Sequence, residues 1–174
     1  VYPLSETRPL HSIVDDRGRD VTRVLSHIDD GWYADFELDA VHGYARQYSL
    51  ILDLGDLTDW EHPVLLAHGW VDYAHSSSNW AAVERGLTLF PPRLDVRTGG
   101  GDWRTVSLDM GVPAGLPKRM LYDLEGILDA GDTHAQLRIT TNTPVYWDQF
   151  LLGRVEIDAA TRLHRRPFGR ADLH

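Results

Sequence analysis

Hydrophobic residues in this chain come in short runs with a period of two, separated by glycine and proline. The clearest run is "RQYSLILDLGD", where Leu50, Leu52 and Leu54 alternate with Ser49, Ile51 and Asp53. That alternation is the mark of a strand with one buried face. "HPVLLAHGWVDYA" follows, too apolar at its start to have a wet face, and it predicts a central strand. In "LDVRTGGGDWRTVSLDM" two β-rich runs flank Gly99-Gly100-Gly101-Asp102, which predicts a hairpin. "KRMLYDLEGIL" and "AQLRITTNTPVYWDQFLL" supply further strands, the second interrupted at Pro144, which cannot donate to a ladder. Two segments carry helical spacing. "DVTRVLSHIDD" has an Asp20 cap with Val21, Val24, Leu25 and Ile28 on one stripe, and "SSSNWAAVERG" has a serine cap before Trp80, Val83 and a terminating Gly86.

Strands at roughly 8–12-residue intervals without regular helical crossovers predict an antiparallel β-sandwich of jelly-roll or galactose-binding-like type, with one or two short helices. At 174 residues, 43% of them hydrophobic, the expectation is one domain spanning residues 1–174, with 154–174 a charge-rich surface tail.

Composition narrows the chemistry. The chain carries 26 acidic against 17 basic side chains, a formal charge of −9, and has no Lys/Arg stripe with interleaved aromatics, which argues against nucleic acid as a partner. With no cysteine, disulfides, thiolate metal sites and cysteine nucleophiles are all excluded. No apolar run approaches the ~18 residues of a membrane span. The first residue is Val1, not Met, so the chain is expected to be processed or part of a longer protein.

The motifs "RPLHSIVDDRGRDV", "LDLGDL", "LLAHGWVDY", "PPRLDVRTGGGDWRTVSLDMGVPAGLPKRMLYDL", "RITTNTPVYWDQ" and "RADLH" occur in an order that resembles an uncharacterised group of bacterial domains. These are the β-rich domains at the C-terminal end of proteins with FG-GAP or tetratricopeptide repeats, the ASPIC/UnbV-associated group. The resemblance implies an accessory domain flanked by repeats, in proteins often exported, and so an extracellular or cell-envelope location, with the cytoplasm as the alternative. It brings no established activity and no catalytic residues.

Candidate sites come from the residues themselves. Trp70, Tyr73, Trp80, Tyr146 and Trp147 fall at ends of predicted strands, where sandwich loops carry binding sites. In "YWDQF", strict alternation puts Tyr146, Asp148 and Phe150 on one face and Trp147, Gln149 and Leu151 on the other. A carboxylate is less tolerable in a core than an amide, so Trp147 is expected inside, with Tyr146 and Asp148 on the accessible face and Arg138 or Arg119 as the carboxylate's partner. The ligand set is therefore Trp70, Tyr73, Trp80, Tyr146 and Asp148. The loop "DDRGRD" groups Asp15, Asp16 and Asp20 around Gly18, which offers the oxygen donors calcium takes, although it does not match an EF-hand loop. Calcium is the one cofactor the sequence suggests. Nine histidines form neither H-x-x-x-H nor H-E-x-x-H, and Ser76, Ser77 and Ser78 lack a G-x-S-x-G elbow.

The reading is a binding or interaction module, with a carbohydrate or a protein as its partner. One alternative is a small enzyme, a cyclase or hydrolase, with a loop-lined cleft and Asp148 with His68 or His75 as acid–base groups. The other is a structural cap on a repeat domain, which would display an exposed apolar patch.

Overall fold

The computed structural model describes residues 3–29, 31–58, 60–128 and 132–156. Its strands are β1 (Leu4–Pro9), β2 (Ser12–Asp15), β3 (Tyr48–Asp56), β4 (Pro63–Val71), β5 (Arg93–Thr98), β6 (Arg104–Ser107), β7 (Lys118–Asp123), β8 (His134–Thr141) and β9 (Val145–Val155), with one helix, α1 (Ser76–Glu84), between β4 and β5. They form two antiparallel sheets, ordered β1-β9-β4-β7 and β2-β3-β8-β5-β6. The molecule is a mainly β sandwich, as the alternating pattern predicts.

Pairing is nested along the chain: β1 with β9, β3 with β8, β4 with β7 and β5 with β6. The predicted hairpin across Gly99–Gly101 is the innermost pair, and β4 takes its predicted interior place between β9 and β7. Leu50, Leu52 and Leu54 of β3 point inward, joined in one core by Leu137 and Ile139 of β8 and by Leu65, Ala67, Phe150 and Leu152 of the other sheet. At about 25 cal/mol for each Å² of apolar surface removed from water, this shared core is the main force holding the sheets together.

The chain passes between the sheets at 142–144, where Pro144 ends the β8 ladder and β9 begins. The polar residues there are stapling groups. Asn142 accepts from the Phe90 amide at 2.9 Å and donates to the Thr88 carbonyl at 2.8 Å, while the Thr141 and Thr143 hydroxyls both donate to the Phe90 carbonyl. The Tyr48 hydroxyl, its pKa pushed up by burial, donates to the carbonyls of Thr143 and Val145.

Three expectations need correction. Residues 20–28 form no helix: Asp20 accepts from the Thr22 amide in a local turn, Leu25 is buried, and Val24 and Ile28 are exposed. The Leu25 carbonyl instead accepts from the Phe150 amide of β9 at 2.9 Å, so tertiary pairing overrides the local spacing. The second helix forms, but His75 is its N-cap without a side-chain hydrogen bond, and Trp80 and Val83 face solvent while Ala82 is buried. Finally, the surface tail does not start at 154, because Arg154 and Val155 pair within β9; residues 157–174 lie outside the described residues.

Candidate functional site

On the outer face of the four-stranded sheet, β4 presents His68 and Trp70 at alternate positions. The pairing continues to Tyr146 opposite Trp70, and to Gln149 and Arg119 on either side of His68. Between Tyr146 and Gln149 the register slips: His68 faces Gln149 and Gly69 faces Trp147, so Asp148 is an extra residue with no partner on β4. That is a β-bulge. Gly69 makes it possible, since a Cβ there would lie 2.6 Å from the Tyr146 carbonyl oxygen and 3.0 Å from the Trp147 ring. The bulge resets the alternation, and Trp147 and Phe150, three residues apart, both enter the core.

The bulge hands Asp148 to His68. Asp148 Oδ2 lies 3.2 Å from His68 Nδ1; the carboxylate side chain has no exposed surface and the imidazole 14%. Among the described residues Asp148 Oδ1 has no hydrogen-bond partner. With Asp148 ionised, its oxygens can only accept, and the pair then has His68 donating from Nδ1 and leaves Nε2 for other contacts.

A connection between β2 and β3 covers this pair. Its Tyr33 amide donates to the Trp147 carbonyl at 2.7 Å, and its Ser26 carbonyl accepts from the Gln149 side chain at 3.0 Å. Leu25, Ser26 and Tyr33 thus extend the β9 edge where β1 stops pairing, at Leu151. The same connection lays Trp32 over His68 with ring centroids 6.0 Å apart and 26° between planes, and sets it edge-on to Trp70 at 6.2 Å. Trp70 stacks on Tyr146 at 4.4 Å and 9°, and Phe36 meets Tyr146 edge-on at 5.1 Å. Burial, reinforced by Asp72, holds the Tyr146 phenol above its usual pKa, so it is a neutral donor and acceptor. Trp32, Trp70 and Tyr146 all remain part-exposed.

Of the residues predicted for ligand binding, Trp70, Tyr146 and Asp148 gather here. Tyr73 and Trp80 do not: both are exposed, and the Trp80 indole donates to Glu84 within α1. The expectation that Asp148 is accessible is wrong, because the bulge turns it against His68, where it is fully buried. Its expected partners are also engaged elsewhere, Arg138 with Asp95 at 2.9 Å and Arg119 with Gln149 at 3.0 Å. Trp147 is fully buried, as expected. Sequence reasoning missed Trp32 and Gln149; the signal for Trp32 was an indole in the otherwise polar, glycine-bearing stretch "DDGWYAD".

At the tip of β2, Asp15 accepts from the amides of Arg17 and Arg19 at 3.0 and 2.9 Å and is bridged by the Arg19 guanidinium at 2.6 Å. Burial pushes this carboxyl upward, but the amide and guanidinium contacts outweigh it and hold the pKa below the usual value. Asp20 turns to Thr22, and Asp16 is exposed. The three aspartates do not converge, and among the described residues no group of three His, Asp or Glu side chains is arranged to hold a metal ion. Among the described residues no helix is long and apolar enough to cross a membrane.

At the opposite end of β4, beside Pro63, a cleft of about 820 Å³ opens between residues 57–58, 60–63, 124–126, 128 and 132–133. It does not include the His68–Asp148 pair. No family model, curated protein or solved structure matches the chain.

Proposed function

We propose that this domain is an accessory binding module of a larger, exported bacterial protein, and that its ligand surface is the aromatic group around His68. The observation that carries this reading is the arrangement of Trp32, Trp70 and Tyr146. All three rings stay part-exposed around an imidazole beside a buried carboxylate, with Tyr146 in edge-on contact with Phe36 of the core. Ring faces beside fixed polar groups suit a ligand with one apolar face and a hydroxyl-bearing edge, which is the chemistry of a sugar. The nested pairing, first strand with last, supports reading the sandwich as a jelly roll with β2 as an added edge strand. The ordered motifs that resemble the ASPIC/UnbV-associated domains support its placement beside repeats. An acid–base enzyme finds less support, because the buried carboxylate and the cleft lie at different ends of β4.

The test is a saccharide array followed by titration of any hit against three variants. Trp70→Ala and Trp32→Ala should lose at least about tenfold in affinity, some 1.4 kcal/mol, while Trp80→Ala, exposed on α1, should bind as the parent does. Absence of any saccharide hit, or equal affinity for all three variants, would remove this surface as a sugar site.

A further inference from the structure

We propose that the cleft beside Pro63 is a second ligand site, and that it takes a small organic cation, an ammonium or guanidinium group on an aliphatic or aromatic body. Its volume, about 820 Å³, falls within the range of small-ligand clefts. Its walls are apolar: Leu57 and Trp60 from the β3–β4 connection and Pro63 at the start of β4 face Leu124 and Leu128 from the segment after β7. Its charged rim is acidic. Glu61, Glu125 and Asp132 line it together with His62, and among the described residues neither Lys nor Arg does. Two arginines reach the Trp60 wall, Arg8 bonded to the Leu54 and Asp56 carbonyls and Arg154 paired with Glu6, both over the Trp60 ring, so the rim carboxylates and not that ring face draw the cation. An apolar wall lowers the local dielectric and strengthens the pull of the rim carboxylates on a cation.

The cleft is also built to hold its shape. The Leu57 amide donates to the Thr133 carbonyl at 3.1 Å, the Leu124 amide to the Pro63 carbonyl at 3.0 Å, and the Val155 amide to the His62 carbonyl at 3.2 Å. His62 Nδ1, 3.2 Å from Glu125 Oε2, joins the two walls across the opening. Among the described residues, His62 is the one non-glycine residue with a left-handed backbone, φ +48°. Strained backbone of this kind collects at ligand clamps and persists only where its surroundings hold it. Here the Val155 amide does so.

Calorimetry on the full chain at low salt, with phenethylammonium chloride as the probe and sodium phenylacetate as its anionic counterpart, tests the assignment. The cation should bind saturably and the anion should not. Glu61→Gln/Glu125→Gln, two exposed side chains whose replacement leaves the core untouched, should weaken cation binding at least about tenfold. Trp70→Ala should leave it unchanged, so a failure of the aromatic surface as a sugar site is read separately. The proposal is overturned if the anion binds as tightly as the cation, if the double variant binds like the parent, or if no saturable heat appears up to about 10 mM cation.

Discussion

Removing the His68 imidazole should destabilise the domain far more than neutralising the carboxylate it serves. Asp148 is wholly enclosed, with Oδ1 unpartnered and Oδ2 held by His68 at 3.2 Å. In His68→Ala Oδ2 loses its His68 partner too, so neither oxygen is hydrogen-bonded among the described residues, and a buried charge stripped of its partner costs roughly 3–5 kcal/mol. Asp148→Asn keeps the shape and still offers His68 an acceptor oxygen. Its expected loss is about 1–2 kcal/mol, the difference between a charge-assisted and a neutral hydrogen bond. The double variant contains no stranded charge, so it should be more stable than the sum of the two singles by about 2 kcal/mol or more, a coupling that only interacting residues produce. Urea melts read this directly as midpoint shifts at constant m-value. A His68→Ala variant within about 0.5 kcal/mol of the parent would refute the reasoning; so would strict additivity.

Trp147→Ala should cost about 3–5 kcal/mol, since the ring is fully buried against Phe150. Trp147→Phe should cost less, because the indole N–H it removes has no partner among the described residues; equal losses in urea melts would contradict that ordering. Gly69→Ala forces a Cβ to within 2.6 Å of the Tyr146 carbonyl. It should destabilise by about 2 kcal/mol or more, whereas Gly100→Ala, with nothing near its Cβ but φ +74°, should lose about 1–2 kcal/mol. The reverse order in thermal melts would place the bulge elsewhere. For Asp95, burial pushes the carboxyl up, but the Thr105 hydroxyl and the Arg138 and Arg93 guanidiniums outweigh it and hold the pKa below its unfolded value. Its contribution is therefore complete above about pH 4 and lost as pH falls below that. Asp95→Asn should flatten the acid side of a stability–pH curve, and an unchanged slope would count against the network.

Where the local pattern and the tertiary structure demand the same thing, the fold was legible. The Leu50, Leu52 and Leu54 alternation, the glycine hairpin and the Pro144 break each specify backbone geometry through their own side chains, and each is found as expected. Residues 20–28 are different, because helical spacing at Val21, Val24, Leu25 and Ile28 has value only if that stripe meets a core. Val21 and Leu25 do, whereas Val24 and Ile28 do not. The backbone of Leu25 and Tyr33 gains more by completing the exposed edge of β9, where β1 has already stopped, than a marginal two-turn helix would provide.

The candidate site was half legible, and the break lies in the assumption of an unbroken period of two. Placing Trp147 inside and Tyr146 outside required only that neighbours point apart, and both hold. Extending the same rule across Asp148 to Phe150 put a carboxylate and a phenylalanine on one face, a conflict that should itself suggest an extra residue between them. The corroborating sign was on the other strand: Gly69, a glycine inside an apolar strand interior, is what close backbone approach at a bulge requires. With the bulge in place, Trp147 and Phe150 both reach the core, and the inserted residue is turned to the outer face. There a carboxylate can be enclosed only if a neighbouring strand supplies its partner. His68 on β4 is that partner, and Trp32 closes over the pair from a segment more than thirty residues away in sequence. The sequence offered Asp148 with His68 only as an acid–base alternative beside His75, and neither contact leaves a trace in local periodicity, so the enclosure of the pair and its aromatic cover emerge only once β4, β9 and the β2–β3 connection are brought together.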